Sequence, residues 1–174
     1  DKNMTGQINV NKIAARTGTA ITVESGHIIT QPGSIIQTVS NSTTTQTYVA
    51  STSFTDTTLT ASITPKFSTS KILIIISQNV MMDIDDNEGY CKLQLMRDST
   101  VIQSQARVAM HESGGANKAK DAGPYSITHV DSPNTTSAIT YKTQGHISST
   151  SNNGTARFQI NSSVSHITLM EIAQ

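Results

Sequence analysis

At 174 residues the chain has room for one domain with a proper core and a short extra segment. Twelve Lys and Arg balance twelve Asp and Glu, with a pI near 7.1, so no overall field draws in nucleic acid or an anionic membrane, and neither is expected as a partner. The single Cys91 excludes an internal disulfide, and no apolar run approaches the roughly 20 residues that a spanning helix needs.

From Thr5 to about Gln31 the apolar residues come in short pairs punctuated by Gly18 and Gly26: Ile8, Val10 and Ile13, then Ile21 and Val23, then Ile28. Such a segment cannot close a core of its own, but copies wound together could share one. Residues 1–31 therefore read as an attachment arm, with Ile8, Val10, Ile13, Ile21 and Val23 as its contact residues. The chain begins at Asp1 and not at Met, which reads as a trimmed N-terminus.

Gln31-Pro32-Gly33 is a turn signal and sets the boundary of a second unit, residues 32–174. Ile35, Ile36 and Val39 predict a first strand, followed by a polar run from Asn41 to Thr45 and a short strand at Tyr48 and Val49. Phe54 anchors the connection to an alternating strand through Leu59, Ala61 and Ile63, which breaks at Pro65. Lys71-Ile72-Leu73-Ile74-Ile75-Ile76-Ser77 is then the most apolar stretch of the chain. It reads as a central strand covered on both faces, one by its own core and the other either by a neighbouring copy or by a loop of the same chain. Ile72, Ile74 and Ile76 are the expected trimer-interface residues.

After the acidic stretch Asp83 to Gly89, Cys91, Leu93 and Leu95 are expected to face in, and Lys92, Gln94 and Arg97 out. A turn at Asp98-Ser99-Thr100 leads to a partner strand with Ile102, Ala106, Val108 and Met110 on one face. His111 to Gly123, with almost no apolar content, reads as an exposed loop. Tyr125, Ile127 and His129, then Ile139, Tyr141 and Thr143, then Ala156, Phe158 and Ile160 mark further strands. Ser151-Asn152-Asn153-Gly154 is the strongest hairpin signal, and His166 to Ile172 forms a closing strand. About ten short strands joined by polar turns, with no helical periodicity, predict an all-β antiparallel sandwich of jelly-roll type. Hydrophobic content of 35% and aromatic content of 4% are low for a compact monomer, so self-association, as a homotrimer, would supply the missing burial.

Several of these segments resemble a family of bacteriophage virion appendage proteins, the tail-fibre or fibre-head domains common in marine phages. The residues that carry the resemblance are Pro32-Gly33-Ser34-Ile35-Ile36-Gln37, Ser53-Phe54-Thr55-Asp56, Ala61-Ser62-Ile63-Thr64-Pro65-Lys66, Ser68 to Ile74 and His166 to Ile172. The arm motifs Ile8 to Ile13 and Gly18 to Val23 fit as well. The resemblance implies a trimeric projection on the virion surface, its arm fixed to other virion proteins of tail or capsid and its knob turned outward. The motifs are strands and turns and not chemistry, so no binding residue carries over.

Candidate chemistry is thin. Asp83, Asp85 and Glu88 suggest a calcium loop, but Gly89 stands one place late and Gln94 occupies the position of the bidentate Glu; a solvated acidic loop explains them better. His27, His111, His129, His146 and His166 lack metal-ligand spacing. No Gly-x-Ser-x-Gly elbow accompanies the many serines, and neither an enzyme nor a cofactor is expected. Host contact, through a surface glycan, is assigned to the long polar loop: His111, Glu112, Lys118, Lys120 and Asp121. Tyr90, Tyr125 and Tyr141 are stacking candidates, with core packing as the competing explanation. The leading expectation is a homotrimeric virion projection with a host-contact knob. The alternatives are a capsid-bound decoration or head-fibre protein and a free carbohydrate-binding module.

Overall fold

The computed structural model describes residues 28–85, 89–111 and 119–174; the side chains of Ala106, His111, Asn152 and residues 119–121 are outside the description. The arm residues Ile8, Val10, Ile13, Ile21 and Val23 lie outside the described residues.

Ten strands follow one another: β1 (Ile35–Thr43), β2 (Thr47–Val49), β3 (Thr55–Ile63), β4 (Lys71–Ile84), β5 (Gly89–Arg97), β6 (Thr100–His111), β7 (Ala119–Asp131), β8 (Ile139–Ile147), β9 (Thr155–Phe158) and β10 (Ser165–Ile172). They form two antiparallel sheets. One runs β1-β10-β4 and continues from β4 to β7; the other runs β3-β8-β5-β6. Apart from the short β2 and β9, each sheet alternates strands from the two halves of the chain, the strand order of a jelly roll. The expected all-β sandwich is the observed fold.

Alternation explains how the sheets face one another. Leu59, Ala61 and Ile63 of β3 point inward while the residues between them are exposed, and Cys91, Leu93 and Leu95 of β5 do the same beside outward Lys92. Ile72, Ile74 and Ile76 of β4 meet them from the other sheet. Each fully buried aliphatic of this kind contributes about 1.5–3 kcal/mol relative to exposure. These three isoleucines, expected at a subunit interface, are 0% exposed within the single chain. The chain's own core occupies them, and Leu73 and Ile75 lie on the other face of the strand.

Three further expectations change. β4 runs to Ile84, because β9 takes over from β10 along its second half while β7 follows its whole length. That long partner also draws residues 119–123, expected in a loop, into β7. Pro124 is tolerated there because β7 pairs only with β4 among the described residues and so forms an edge. Met110 is exposed and Ala109 buried, since a register break between Cys91 and Leu93 shifts the inward face of β6.

Arg97, expected outside, turns into the end of the sandwich. Its Nη1 donates to both oxygens of Asp131 at 2.9 Å, and the buried Tyr141 hydroxyl donates to Asp131 Oδ2 at 2.7 Å. Burial, together with the neighbouring carboxylate that accepts its hydrogen bond, pushes the Tyr141 phenol far above its ordinary range. The hairpin expected at Ser151 to Gly154 does not form: β8 and β9 belong to different sheets, and a single 3-10 turn with positive φ at Asn153, not at the glycine, carries the chain from one sheet to the other. Gly154 is needed for a different reason: a Cβ there would lie 2.0 Å from the Ser149 carbonyl oxygen.

The two ends of the domain meet. Gly33 N–H donates to the Ala173 carbonyl and Ala173 N–H to the Ser34 carbonyl, both at 2.9 Å, and Ile35 pairs with Ile172.

Candidate functional surfaces

The outward faces of the two sheets differ in chemistry. On the β1-β10-β4-β7 sheet, cross-strand register lines up three successive rows: Thr38, Met170, Leu73 and Val130; Ser40, Thr168, Ile75 and Thr128; Ser42, His166, Ser77 and Ser126. None of these positions is Lys, Arg, Asp or Glu. Ile75 is 41% and Val130 51% exposed, and Leu73 and Met170 are half-buried between them. Charge depletion around aliphatic side chains is the composition of an interface core and not of a solvated sheet.

The outward face of the β3-β8-β5-β6 sheet is polar and ordered. Asp56 of β3 accepts from Lys142 Nζ at 2.8 Å and from Gln144 Nε2 at 2.7 Å, both on β8, and Gln94 of β5 donates to Gln144 Oε1 at 2.8 Å. Burial pushes the Asp56 carboxyl up, but the two hydrogen bonds and the Lys142 charge outweigh it and hold the group below the usual carboxylate range.

One row along, Lys92 lies directly opposite His146. The His146 ring meets the Phe54 ring edge-on with centroids 4.6 Å apart, and Tyr90 at 6.2 Å. Its Nδ1 lies 2.9 Å from the Ile147 carbonyl oxygen; an oxygen of that kind only accepts, so Nδ1 carries the proton. Lys92 Nζ and Arg107 Cζ sit 5.4 and 4.6 Å from the Tyr90 ring centroid, within cation–π range.

Beside Asp56 the pairing of β3 with β8 slips, and Thr58 takes φ +67°, rare for a β-branched residue. Its hydroxyl donates to the Thr45 carbonyl, and the neighbouring Thr57 hydroxyl meets that of Thr143 at 2.5 Å. The slip opens a shallow groove lined by Asp56, Thr58, Thr60 and Lys142.

Of the three tyrosines singled out in the sequence, only Tyr90 belongs to this face. Tyr141 is buried, and Tyr125 packs against the core with its hydroxyl on Gln105 Oε1 at 2.8 Å. Glu112 and Lys118, and the side chains of His111, Lys120 and Asp121, lie outside the described residues. Asp83 forms an ion pair with Arg157 at 2.5 Å, and Asp85 accepts from Asn153 Nδ2 at 3.0 Å; Glu88 lies outside the described residues. Among the described residues no group of three or more His, Cys, Asp or Glu is placed to hold a metal ion. Sequence reading had Phe54, Lys92, Gln94 and His146 in hand as separate residues. Their convergence with Arg107 on one face comes from strand register, which no local pattern encodes.

No protein-family model matches the chain, and no curated protein matches it. Among solved structures it is similar to a structure of infectious bursal disease virus Gt strain, with 11% identity and TM-score 0.39 over 89% of this chain and 41% of that one. It is also similar to the T13 particle of the same virus, at 10% identity and TM-score 0.38, covering 89% and 40%. For the VP2 subviral particle of that virus the values are 11% and 0.38, covering 89% and 42%. The chain thus spans about two fifths of the length of these proteins. Likeness at these TM-scores carries no argument about function.

Proposed function

We propose that the chain is a virion structural protein: the jelly-roll knob of a homotrimeric, fibre-like projection on the virion surface, fixed to tail or capsid proteins through residues 1–31 and contacting the host with its exposed side. The observation that carries this reading is the block of three rows without Lys, Arg, Asp or Glu on the outer face of the β1-β10-β4-β7 sheet, where Leu73, Ile75, Val130 and Met170 remain partly exposed in the single chain. Sister copies covering those rows would bury them without stranding any charge of theirs. The buried carboxylates are committed to structure: Asp131 to Arg97 and Tyr141, Glu171 to Gln37 and backbone amides, Asp83 to Arg157. That supports a building block over a catalyst.

The test is the mass in solution. A species near three times the 18.6 kDa of one chain is expected; a stable 18.6 kDa species at working concentration overturns the reading. Tail and capsid locations separate by imaging labelled antibody on intact particles. A second reading, a free carbohydrate-binding module, is favoured by the ordered polar ladder and the aromatic cluster of the other sheet. Deleting residues 1–31 distinguishes the two: a virion protein loses incorporation into particles, whereas a free module loses nothing.

A further inference from the structure

We infer that the groove beside Thr58, on the outer face of the β3-β8-β5-β6 sheet, binds a neutral sugar through two neighbouring hydroxyls, one donating to Asp56 and the other accepting from Lys142. Thr58 and Thr60 flank that pair. The inference deepens the host-contact side of the function proposed above and rests on it only for the source of the sugar.

Backbone strain marks the place. Between the pairs Asp56–Gln144 and Thr60–Lys142, three residues of β3 stand opposite the single Thr143 of β8. Bulges of this kind re-aim side chains and are over-represented beside active sites. Thr57 and Leu59 turn into the core, which throws Thr58 outward. It stands there at φ +67°, where a β-branched residue is a genuine outlier. Residues strained in this way persist only where their surroundings hold them, and they cluster at ligand clamps. The Thr45 carbonyl and the Thr47 hydroxyl hold this one, each at 3.3 Å.

The groups around the groove are open to solvent. Asp56, Thr58 and Thr60 are exposed, and Lys142 and Gln144 are half-buried beside them. Lys142 Nζ donates to Asp56 Oδ2 at 2.8 Å, and Gln144 Nε2 donates to the other carboxylate oxygen at 2.7 Å. Neither charged group is used up: the carboxylate keeps free lone pairs after two hydrogen bonds, and the ammonium keeps free protons. An acceptor and a donor so close together match two adjacent hydroxyls of a pyranose, whose oxygens stand about 2.8 Å apart, itself a hydrogen-bond separation.

Charge then selects the ligand. Asp56 and Lys142 neutralise one another, so a bare anion would meet the carboxylate and a cation the ammonium, whereas an uncharged diol satisfies both. Because Lys142 and Gln144 already fix the carboxylate, little side-chain freedom is lost on binding. The groove has a volume of about 200 Å³, below the roughly 300–1,000 Å³ of sites for drug-sized ligands. That size suits one ring at the end of a glycan.

The isotope-labelled full chain is titrated, with amide NMR as the readout, against the methyl glycosides of mannose, galactose and glucose. Cyclohexanol, which carries a single hydroxyl, and sulfate, a small anion, are the controls. At least one glycoside should shift the backbone amides of Thr58 and Thr60 and the side-chain amide of Gln144 saturably, with a millimolar Kd, and neither control should. Asp56→Asn keeps the shape and drops the charge, and should weaken that binding about tenfold. Thr58→Gly, which releases the strain, should weaken it as well, because the groove is then no longer held in shape. Lys71→Gln, on the other sheet, should leave it intact. No saturable shift with any of the glycosides, equal shifts with cyclohexanol, displacement of the sugar by sulfate, or an unaffected Asp56→Asn variant each overturns the inference. The mass in solution tests assembly separately, so a single-copy chain that binds sugar and a trimer that does not are told apart.

Discussion

Gln37 of the first strand donates to Glu171 of the last at 2.6 Å, joining the two ends of the domain by a side-chain bond inside the sandwich. The same carboxylate accepts the amides of Lys66 and Phe67, at 2.8 and 3.2 Å, and Gln37 also donates to the Thr64 carbonyl at 2.7 Å. Glu171 is 0% exposed. It thus pins the turn after Pro65 to strands β1 and β10.

Burial alone would push the Glu171 carboxyl up, but the hydrogen bonds it accepts, Gln37 and the two amides among them, reverse that and hold it below the usual carboxylate range. A depressed folded-state value means that the unfolded chain takes up the proton first. The stabilisation is therefore complete above the ordinary glutamate value near 4.5 and is lost as pH falls through the folded value. Urea midpoints measured from neutral pH into the acid range should drop below that point. Glu171→Gln should cost about 1.5–3 kcal/mol at neutral pH and flatten the acid limb; an acid limb identical to the parent's would refute the assignment.

Tyr141→Phe removes a buried donor to Asp131 and leaves that carboxylate on Arg97 alone. A loss of about 1–3 kcal/mol is expected. Arg97→Ala, which strands a buried charge, should cost more, about 3–5 kcal/mol. Equilibrium denaturation of the two variants gives the order directly, and a reversed order would contradict the geometry.

Gly145 lies under the ring of Phe158, and a Cβ there would sit 2.2 Å from Phe158 Cζ. Gly145→Ala should therefore force the ring from its site in the core and lower stability by about 1–3 kcal/mol. Adding Phe158→Leu should recover part of the loss. A neutral Gly145→Ala variant would mean that the ring has room to move.

Thr58 at φ +67° carries a backbone cost of about 1–2 kcal/mol that glycine does not. Its hydroxyl reaches Thr45 and Thr47 only at 3.3 Å, so little is lost with the side chain. Thr58→Gly should stabilise the fold slightly, by up to about 1 kcal/mol, seen as a higher urea midpoint; a marked destabilisation would show that the hydroxyl contacts outweigh the strain.

Ile75→Glu and Ile74→Glu make a matched pair on neighbouring residues of β4. The first puts a charge on the outer face and should leave a folded chain of single-copy mass. The second puts it in the core, where Ile74 is 0% exposed, and should prevent folding. Light scattering with circular dichroism reads both. An Ile75→Glu variant that still assembles would move the interface off this sheet.

Much of the sandwich could be read from local pattern. Period-two alternation through Leu59, Ala61 and Ile63, and through Cys91, Leu93 and Leu95, fixed which face turns inward, and Pro65 ended β3 where expected. What local pattern lacks is the partner. Ile72 through Ile76 read as apolar on both sides, but only the fold separates Ile72, Ile74 and Ile76, which fill the core, from Leu73 and Ile75, which do not. A register break hid the inward turn at Ala109. The polar Gln78 obscured the length of β4, because its buried partner Thr57 comes from the opposite sheet at 2.8 Å. The cation–aromatic cluster failed for the same reason: Phe54, Tyr90, Arg107 and His146 belong to separate segments, and only cross-strand alignment brings them together.

The backbone pairing of Gly33 and Ser34 with Ala173 has a practical consequence for orientation. The chain enters the sandwich and leaves it side by side, so a reporter peptide grafted after Gln174 would start next to Gly33 and Ser34. The strand ends at Ile84, His111 and Ile147 lie at the opposite pole, so of the described connections the one from Ser148 to Gly154, between β8 and β9, is the position farthest from both termini of the domain for an inserted tag.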